Sequence, residues 1–130
     1  MFWKRKKKDT GASEGANQPD LWTALSQSAQ LDEIAKQSET RPQLIFKHST
    51  RCGISAMAWR AFERTWAEGE YAADLYVLDL LNYRSVSNEI AERFQVFHQS
   101  PQLLIIKNGT AVLHESHGAI QEVRLSDYID

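Results

Sequence analysis

The order of apolar segments along this chain predicts an α/β fold, with a mixed sheet of about four strands between helix layers. Short apolar runs typical of strands alternate with segments of helical periodicity from about residue 20 onward. The dipeptide Asn108-Gly109 separates two of these runs and is a hairpin signal. Strands joined through a helix run parallel and hairpin strands run antiparallel, so the predicted sheet must be mixed.

Length and composition are those of one folded domain. The chain has 130 residues, of which 42% are hydrophobic and 25% charged, enough to bury a single core. Its one cysteine, Cys52, excludes an internal disulfide, and no apolar run is long enough to cross a bilayer. The basic start at residues 1–8 lacks the apolar stretch of a signal peptide. We therefore expect a cytoplasmic protein, and a monomer.

Charge divides the chain into a basic tail and an acidic body. Residues 4–8 are all basic, whereas the rest of the chain holds 10 Lys and Arg against 17 Asp and Glu, a net charge of −7. The residues that follow, 9–19, are small, polar and aperiodic, so residues 1–19 are predicted to form a disordered tail before a single domain at residues 20–130. An acidic body argues against nucleic acid as a partner. A weak membrane contact through residues 2–8, where two aromatic side chains precede the basic run, is the alternative role for the tail.

The first half of the domain predicts a helix, a strand and a second helix. Asp20 is a suitable N-cap for a helix that continues to about residue 38, and Arg41-Pro42 ends it. Residues 43–48 form an apolar run typical of a buried strand. Residues 53–67 have helical spacing, and their large aromatic side chains are predicted to pack in the core: Trp59, Phe62 and Trp66.

The second half predicts a strand, a helix, a hairpin and a last helix. Residues 75–81 are almost continuously apolar, as in a central parallel strand that is covered on both faces. Ser85 or Ser87 is a candidate N-cap for the next helix. Residues 103–106 and 111–115 are the predicted hairpin strands, and the final helix is expected at residues 121–128.

Cys52 lies between a predicted buried strand and a helix N-terminus. Free backbone N–H groups and the helix dipole favour an anion there, and the thiolate is the nucleophile of disulfide exchange. The run Cys52-Gly53-Ile54-Ser55 has the spacing of a redox Cys-x-x-Cys motif, with serine in second place. The Ser55 hydroxyl, one turn on, is placed to donate to the sulfur, while Arg51 and His48 add positive potential nearby. An inert buried cysteine is the alternative.

The segment that begins at Ser100-Pro101 resembles the cis-proline strand of the thioredoxin-like superfamily. It continues through an apolar run to Lys107-Asn108-Gly109, and the resemblance covers about residues 30–130. It implies a thioredoxin-like fold, with a central mixed four-stranded sheet flanked by helices. It also implies that Pro101 lies beside Cys52, and that the Ser100 backbone pairs with a bound peptide or low-molecular-weight thiol.

Within that superfamily, residues 46–55 are most similar to the monothiol bacilliredoxin-like proteins, which carry Cys-Pro-Ile-Ser where this chain has Cys52-Gly53-Ile54-Ser55. Classical thioredoxins differ more, with a buried acid in place of Phe46 and a second cysteine in place of Ser55. The resemblance implies that Cys52 removes bacillithiol from S-thiolated client proteins, and that Gly53, Ser55 and Arg51 support the thiolate. Bacillithiol, or another low-molecular-weight thiol, would be the co-substrate, with no permanently bound cofactor.

Two other functions are compatible with the same residues. Cys52-Gly53-Ile54-Ser55 is close to the Cys-Gly-Phe-Ser of monothiol glutaredoxins, which carry a [2Fe–2S] cluster between two subunits. Their later Gly-Gly-Cys-Asp segment is replaced here by Ser116-His117-Gly118-Ala119. A non-catalytic binding module would instead hold a partner on the Pro101 surface. No metal site is predicted, because His114 and His117 are three apart in a strand and so point to opposite faces.

Overall fold

The described part of the chain, residues 21–49 and 52–129 of this computed structural model, folds around one mixed sheet of five strands. The sheet order is β1-β3-β2-β4-β5, and the predicted α/β class is confirmed. Along the chain come β1 (Trp22–Ala24), α1 (Ala29–Gln37), β2 (Gln43–His48), α2 (Gly53–Ala67), β3 (Asp74–Asp79), α3 (Arg84–Phe94), β4 (Gln102–Lys107), β5 (Thr110–Ser116) and two 3₁₀ segments, His117–Glu122 and Leu125–Asp127.

Strand directions follow the connections that the sequence predicts. The strands β1 and β2 run parallel to β3, while β4 runs antiparallel to β2 and β5. Asn108 (φ 54°) and Gly109 (φ 76°) form the hairpin turn in the left-handed region, which asparagine and glycine tolerate best. This turn places β5 on the outer edge of the sheet.

The predicted four-stranded sheet is wrong by one strand, because residues 22–24 form an edge strand instead of a helix. Trp22 is paired with Leu75 of β3 and packs its ring against Phe46 and Phe62. The apolar spacing here is also compatible with a helix, but β3 offers an open edge whose backbone groups need partners. The helix begins only at Ala29. The predicted N-cap, Asp20, lies outside the described residues.

The N-terminus of α3 and the conformation of the C-terminal segment also differ from the prediction. The N-cap of α3 is Tyr83, and Ser87 is buried within the helix. The helix predicted at residues 121–128 is replaced by the two 3₁₀ segments, which are linked by extended backbone at Val123 and Arg124. Ile120 and Leu125 are both buried and five residues apart. Two short turns with an extended link satisfy that spacing, whereas an α-helix brings residues three or four apart to one face.

The sheet separates the core into two layers of different character. An aromatic layer under α2 includes Phe46, Phe62 and Trp66, with Trp59 packed against it, which confirms the predicted core role of the α2 aromatics. An aliphatic layer under α1 and α3 includes Ile45. Side chains alternate along a strand, so the residue two positions beyond Ile45, Lys47, lies on the aliphatic side.

The predicted tail at residues 1–19 lies outside the residues that the structure describes. Within residues 21–49 and 52–129, no helix is long and apolar enough to cross a membrane.

Candidate active site

Cys52 is the N-cap of α2 and is half-buried. Its backbone is extended (φ −110°, ψ 119°), its N–H donates to the Ser49 carbonyl at 3.1 Å, and its carbonyl accepts from the Ala56 N–H at 3.0 Å. The sulfur does not cap the first-turn N–H groups of the helix. As the N-cap residue, Cys52 lies at the positive end of the helix dipole of α2.

Gly53 and Ser55 occupy the first and third positions of α2. Gly53 is exposed, and a Cβ added to it would meet no atom of the described residues within 4 Å, so a proline, which suits the first position of a helix, would fit there. Ser55 is fully buried, and its Oγ accepts from the Ser49 N–H at 3.1 Å and lies 2.9 Å from His48 Nδ1. Among the described residues, no hydrogen bond joins Ser55 to the Cys52 sulfur.

His48 ends β2 directly beneath Ser55. It is buried, with its ring centroid 4.9 Å from that of Trp59. Burial lowers the pKa of His48, the positive charge of Arg60 adds to this, and the carboxylate of Asp79 partly opposes it. The ring is therefore neutral at pH 7 and has one donor and one acceptor nitrogen.

The tautomer of His48 decides what the Ser55 hydroxyl can do. If Nδ1 carries the hydrogen, both Nδ1 and the Ser49 N–H donate to Ser55 Oγ, and the hydroxyl hydrogen remains for another acceptor. If Nδ1 is the acceptor, Ser55 donates its hydrogen to His48. The sequence points to His48 only as a nearby positive charge, whereas the structure makes it the direct partner of Ser55.

The segment that precedes β4 lies at the same end of the sheet as Cys52. The peptide bond between Ser100 and Pro101 is cis, and Pro101 is buried. In the register of β2 with β4, Lys47 faces Gln102, so the end of β2 and the start of β4 lie side by side. The Pro101 carbonyl accepts from the His117 N–H at 3.1 Å. Cys52, Ser100 and Pro101 thus line one edge, at the carboxyl ends of the parallel strands, where α/β folds place their sites.

A polar cluster lies behind this edge, on the aliphatic side of the sheet. Lys47 is fully buried, and burial lowers its pKa to about 8. Its Nζ lies 3.3 Å from His98 Nδ1, which also lies 3.3 Å from Ser87 Oγ. The sequence holds one signal for a role of Lys47, a charged residue inside an otherwise apolar run.

The other predicted site residues stand apart from this cluster. Arg51 lies outside the described residues. His114 belongs to β5, and His117 begins the first 3₁₀ segment with φ 56°. Within the part of the chain that the structure describes, no group of three or more His, Cys, Asp or Glu side chains is arranged to hold a metal ion.

Comparison with known protein families shows to which family this chain belongs. Residues 23–125 match the family model described as monothiol bacilliredoxin BrxC. The chain belongs to this family. Its members are thiol redox proteins, which agrees with a single cysteine at a helix N-terminus. The resemblance of residues 46–55 to bacilliredoxins is thereby confirmed.

Solved structures place this bacilliredoxin-family chain in the thioredoxin fold. A protein whose structure is described as having a thioredoxin fold shares 29% identity, covering 84% of this chain and 94% of its own, with a TM-score of 0.72. Schistosoma mansoni thioredoxin shares 18% identity over 83% of this chain and 92% of its own, with a TM-score of 0.64. Thioredoxin O2 from Arabidopsis thaliana shares 15% sequence identity, covering 86% of this chain and 94% of its own, with a TM-score of 0.60. The latter two are similar in fold alone.

Replacing Ser55 by alanine is expected to lower the free energy of unfolding by about 1–3 kcal/mol. The substitution leaves the Ser49 N–H and a ring nitrogen of His48 without their partner in a buried site. Denaturant unfolding followed by tryptophan fluorescence measures the change. Ser126→Ala, at an exposed position, is the matched control and should change stability by less than about 0.5 kcal/mol. Equal effects of the two substitutions would contradict the role of the Ser55 hydroxyl.

Proposed function

We propose that this protein removes bacillithiol from mixed disulfides on client proteins, by monothiol exchange at Cys52. One observation carries the proposal: the single cysteine of a bacilliredoxin-family chain is the half-exposed N-cap of α2. That position gives the sulfur both access to solvent and the field of a helix N-terminus. Bacillithiol serves as co-substrate.

The reaction consists of two thiol–disulfide exchanges. In the first, the Cys52 thiolate attacks the bacillithiol sulfur of the mixed disulfide, and the client sulfur leaves as a thiolate that takes a proton from water. Cys52 now carries bacillithiol through a new S–S bond. In the second, the thiolate of another bacillithiol attacks this adduct, which yields bacillithiol disulfide and restores the Cys52 thiolate.

Because Ser55 stands where a second cysteine would be needed, the proposed reaction requires a second molecule of the small thiol. It occupies the position at which a dithiol protein carries its resolving cysteine, but a hydroxyl cannot attack the Cys52 adduct. Its oxygen is also engaged with His48 and Ser49 inside the fold. The resolving sulfur must therefore come from solution.

The remaining edge residues have proposed roles in holding the substrate. Ser100 and Pro101 precede β4, which adjoins β2, the strand that leads to Cys52. Their backbone forms the rim that a client peptide or the small thiol contacts. Gly53, which is exposed and without a side chain, leaves the sulfur accessible from the solvent side.

A transfer assay tests the proposal. One client protein is loaded with bacillithiol and, in a parallel sample, with glutathione, and intact-mass spectrometry then follows each adduct. The bacillithiol mass should move from the client to the wild-type protein at Cys52, at least about tenfold faster than the glutathione mass. Cys52→Ser is the control and should accept neither adduct.

The possible results separate the proposed functions. Failure of the wild type to accept bacillithiol would contradict the proposal and favour a binding module. Equal transfer of the two adducts would retain monothiol exchange but contradict bacillithiol as the specific thiol.

A further inference from the structure

The loop between α3 and β4 is held from below by buried polar side chains. Lys47 extends from β2, and its Nζ lies 3.3 Å from Nδ1 of His98. Ser87 of α3 places its Oγ 3.3 Å from the same nitrogen. His98 thus lies against both the central sheet and α3, two residues before Ser100.

Gln102 makes a second tie to the same loop. Its Nε2 donates to the Phe97 carbonyl at 3.1 Å, and it is the cross-strand neighbour of Lys47. Gln102 is almost fully buried, and its Oε1 has no hydrogen-bond partner in the described structure. The amide is therefore oriented toward the loop even though its own oxygen is left unpaired.

The loop has few apolar contacts to hold it in place. Phe97 is 92% exposed, and His98 and Gln99 are also exposed, although Val96 is buried. Burial of side chains therefore fixes only the start of the loop. The rest depends on the two polar ties, which act on the residues just before Ser100 and Pro101.

An amine at this position carries a cost in stability. Lys47 follows Leu44, Ile45 and Phe46 in a fully buried strand, and none of the salt bridges of the described residues includes it. Its pKa of about 8 leaves it mostly protonated at pH 7, so the fold buries a charge without a carboxylate partner. An apolar side chain of similar length would pack there without that cost.

We infer that Lys47 and Gln102 are positioning residues, which hold the α3–β4 loop so that Ser100 and Pro101 present a fixed rim to the client beside Cys52. This inference rests on the proposed function for the identity of the client. The neutral ring of His98 is the acceptor for the Lys47 amine, and its pKa is lowered by burial, by Lys47 and by Arg84. The Lys47 amine thus serves to position the loop and does not stabilise the core.

Lys47→Met tests this assignment, because methionine keeps the length of the side chain and removes the donor. Amide hydrogen exchange at residues 97–100 should become at least about fivefold faster, while the midpoint of denaturant unfolding stays the same or rises. The KM for the thiolated client should rise about fivefold, with kcat within about twofold, since the loss lies in binding. Lys36→Met, at an exposed position of α1, is the matched control and should change none of these.

Each alternative result has a distinct meaning. Unchanged exchange at residues 97–100 in Lys47→Met would overturn the inference, and so would faster exchange with an unchanged KM. A lower unfolding midpoint with unchanged KM would identify Lys47 as merely structural. If Lys47→Met fails to fold, His98→Ala removes the acceptor from an exposed position and must loosen the same residues. If the wild type transfers no adduct, the proposed function fails, whereas the exchange measurement still tests the loop anchor.

Discussion

Replacing Cys52 by serine is expected to abolish adduct transfer and to leave the fold at least as stable as the wild type. A serine hydroxyl is not ionised at neutral pH, so the rate of bacillithiol transfer should fall by about 10³-fold or more. The sulfur of Cys52 makes no capping hydrogen bond to α2, whereas serine is among the preferred N-cap residues. The free energy of unfolding should therefore stay constant or rise by about 0.5–1 kcal/mol.

Two measurements on Cys52→Ser check this expectation. Intact-mass spectrometry reports transfer, and denaturant unfolding reports stability. Cys52→Ala, which removes both the thiol and any capping group, is the matched control and should be equally inactive without the gain in stability. Residual transfer by either variant would place the reactive group elsewhere and contradict the assignment of Cys52.

Replacing Phe46 by alanine is expected to cost about 3–5 kcal/mol of stability. Phe46 is fully buried, and its ring centroid lies 6.2 Å from that of Trp22 and 5.8 Å from that of Phe62. Removing the ring leaves a cavity between β2 and α2, and the rigid aromatic neighbours can only partly close it. Phe46 therefore stabilises the core by packing.

The matched control for Phe46→Ala is the same substitution at Phe97, whose side chain is 92% exposed. Phe97→Ala should change the free energy of unfolding by less than about 0.5 kcal/mol. Denaturant unfolding of the two variants provides the comparison. A loss below about 1 kcal/mol for Phe46→Ala would mean that the aromatic layer repacks, and would contradict a rigid core at this point.

Local signals were sufficient for several elements near the site. The strand β2 and the helix α2 occupy the predicted residues 43–48 and 53–67. The strand β2 has a compact apolar run at residues 44–46, and α2 repeats its buried side chains at helical spacing, so each pattern is local. The Asn108-Gly109 turn is likewise a local property, because both residues tolerate the left-handed backbone that the turn requires.

Local signals failed where a distant partner decided the conformation. Residues 22–24 have an apolar spacing that suits a helix, yet the open edge of β3 converts them to a strand. The apolar residues of the C-terminal segment suggest a helix, yet the surface under α2 accommodates two 3₁₀ turns. The intrinsic preference of a short segment for helix or strand decides little where hydrogen bonds to distant segments and burial favour another conformation.

The sequence by itself determined that one thiol lies at the N-terminus of a helix, with serine where a second thiol could resolve a disulfide. Only the tertiary structure revealed the partners of these groups: His48 behind Ser55, and Lys47 with Gln102 beneath the loop that leads to Pro101. The physical reason is how far apart the interacting residues lie along the sequence. The strand–helix junction is encoded within a few residues, whereas Lys47 and His98 lie 51 positions apart along the chain and meet only after β2 and β4 have paired.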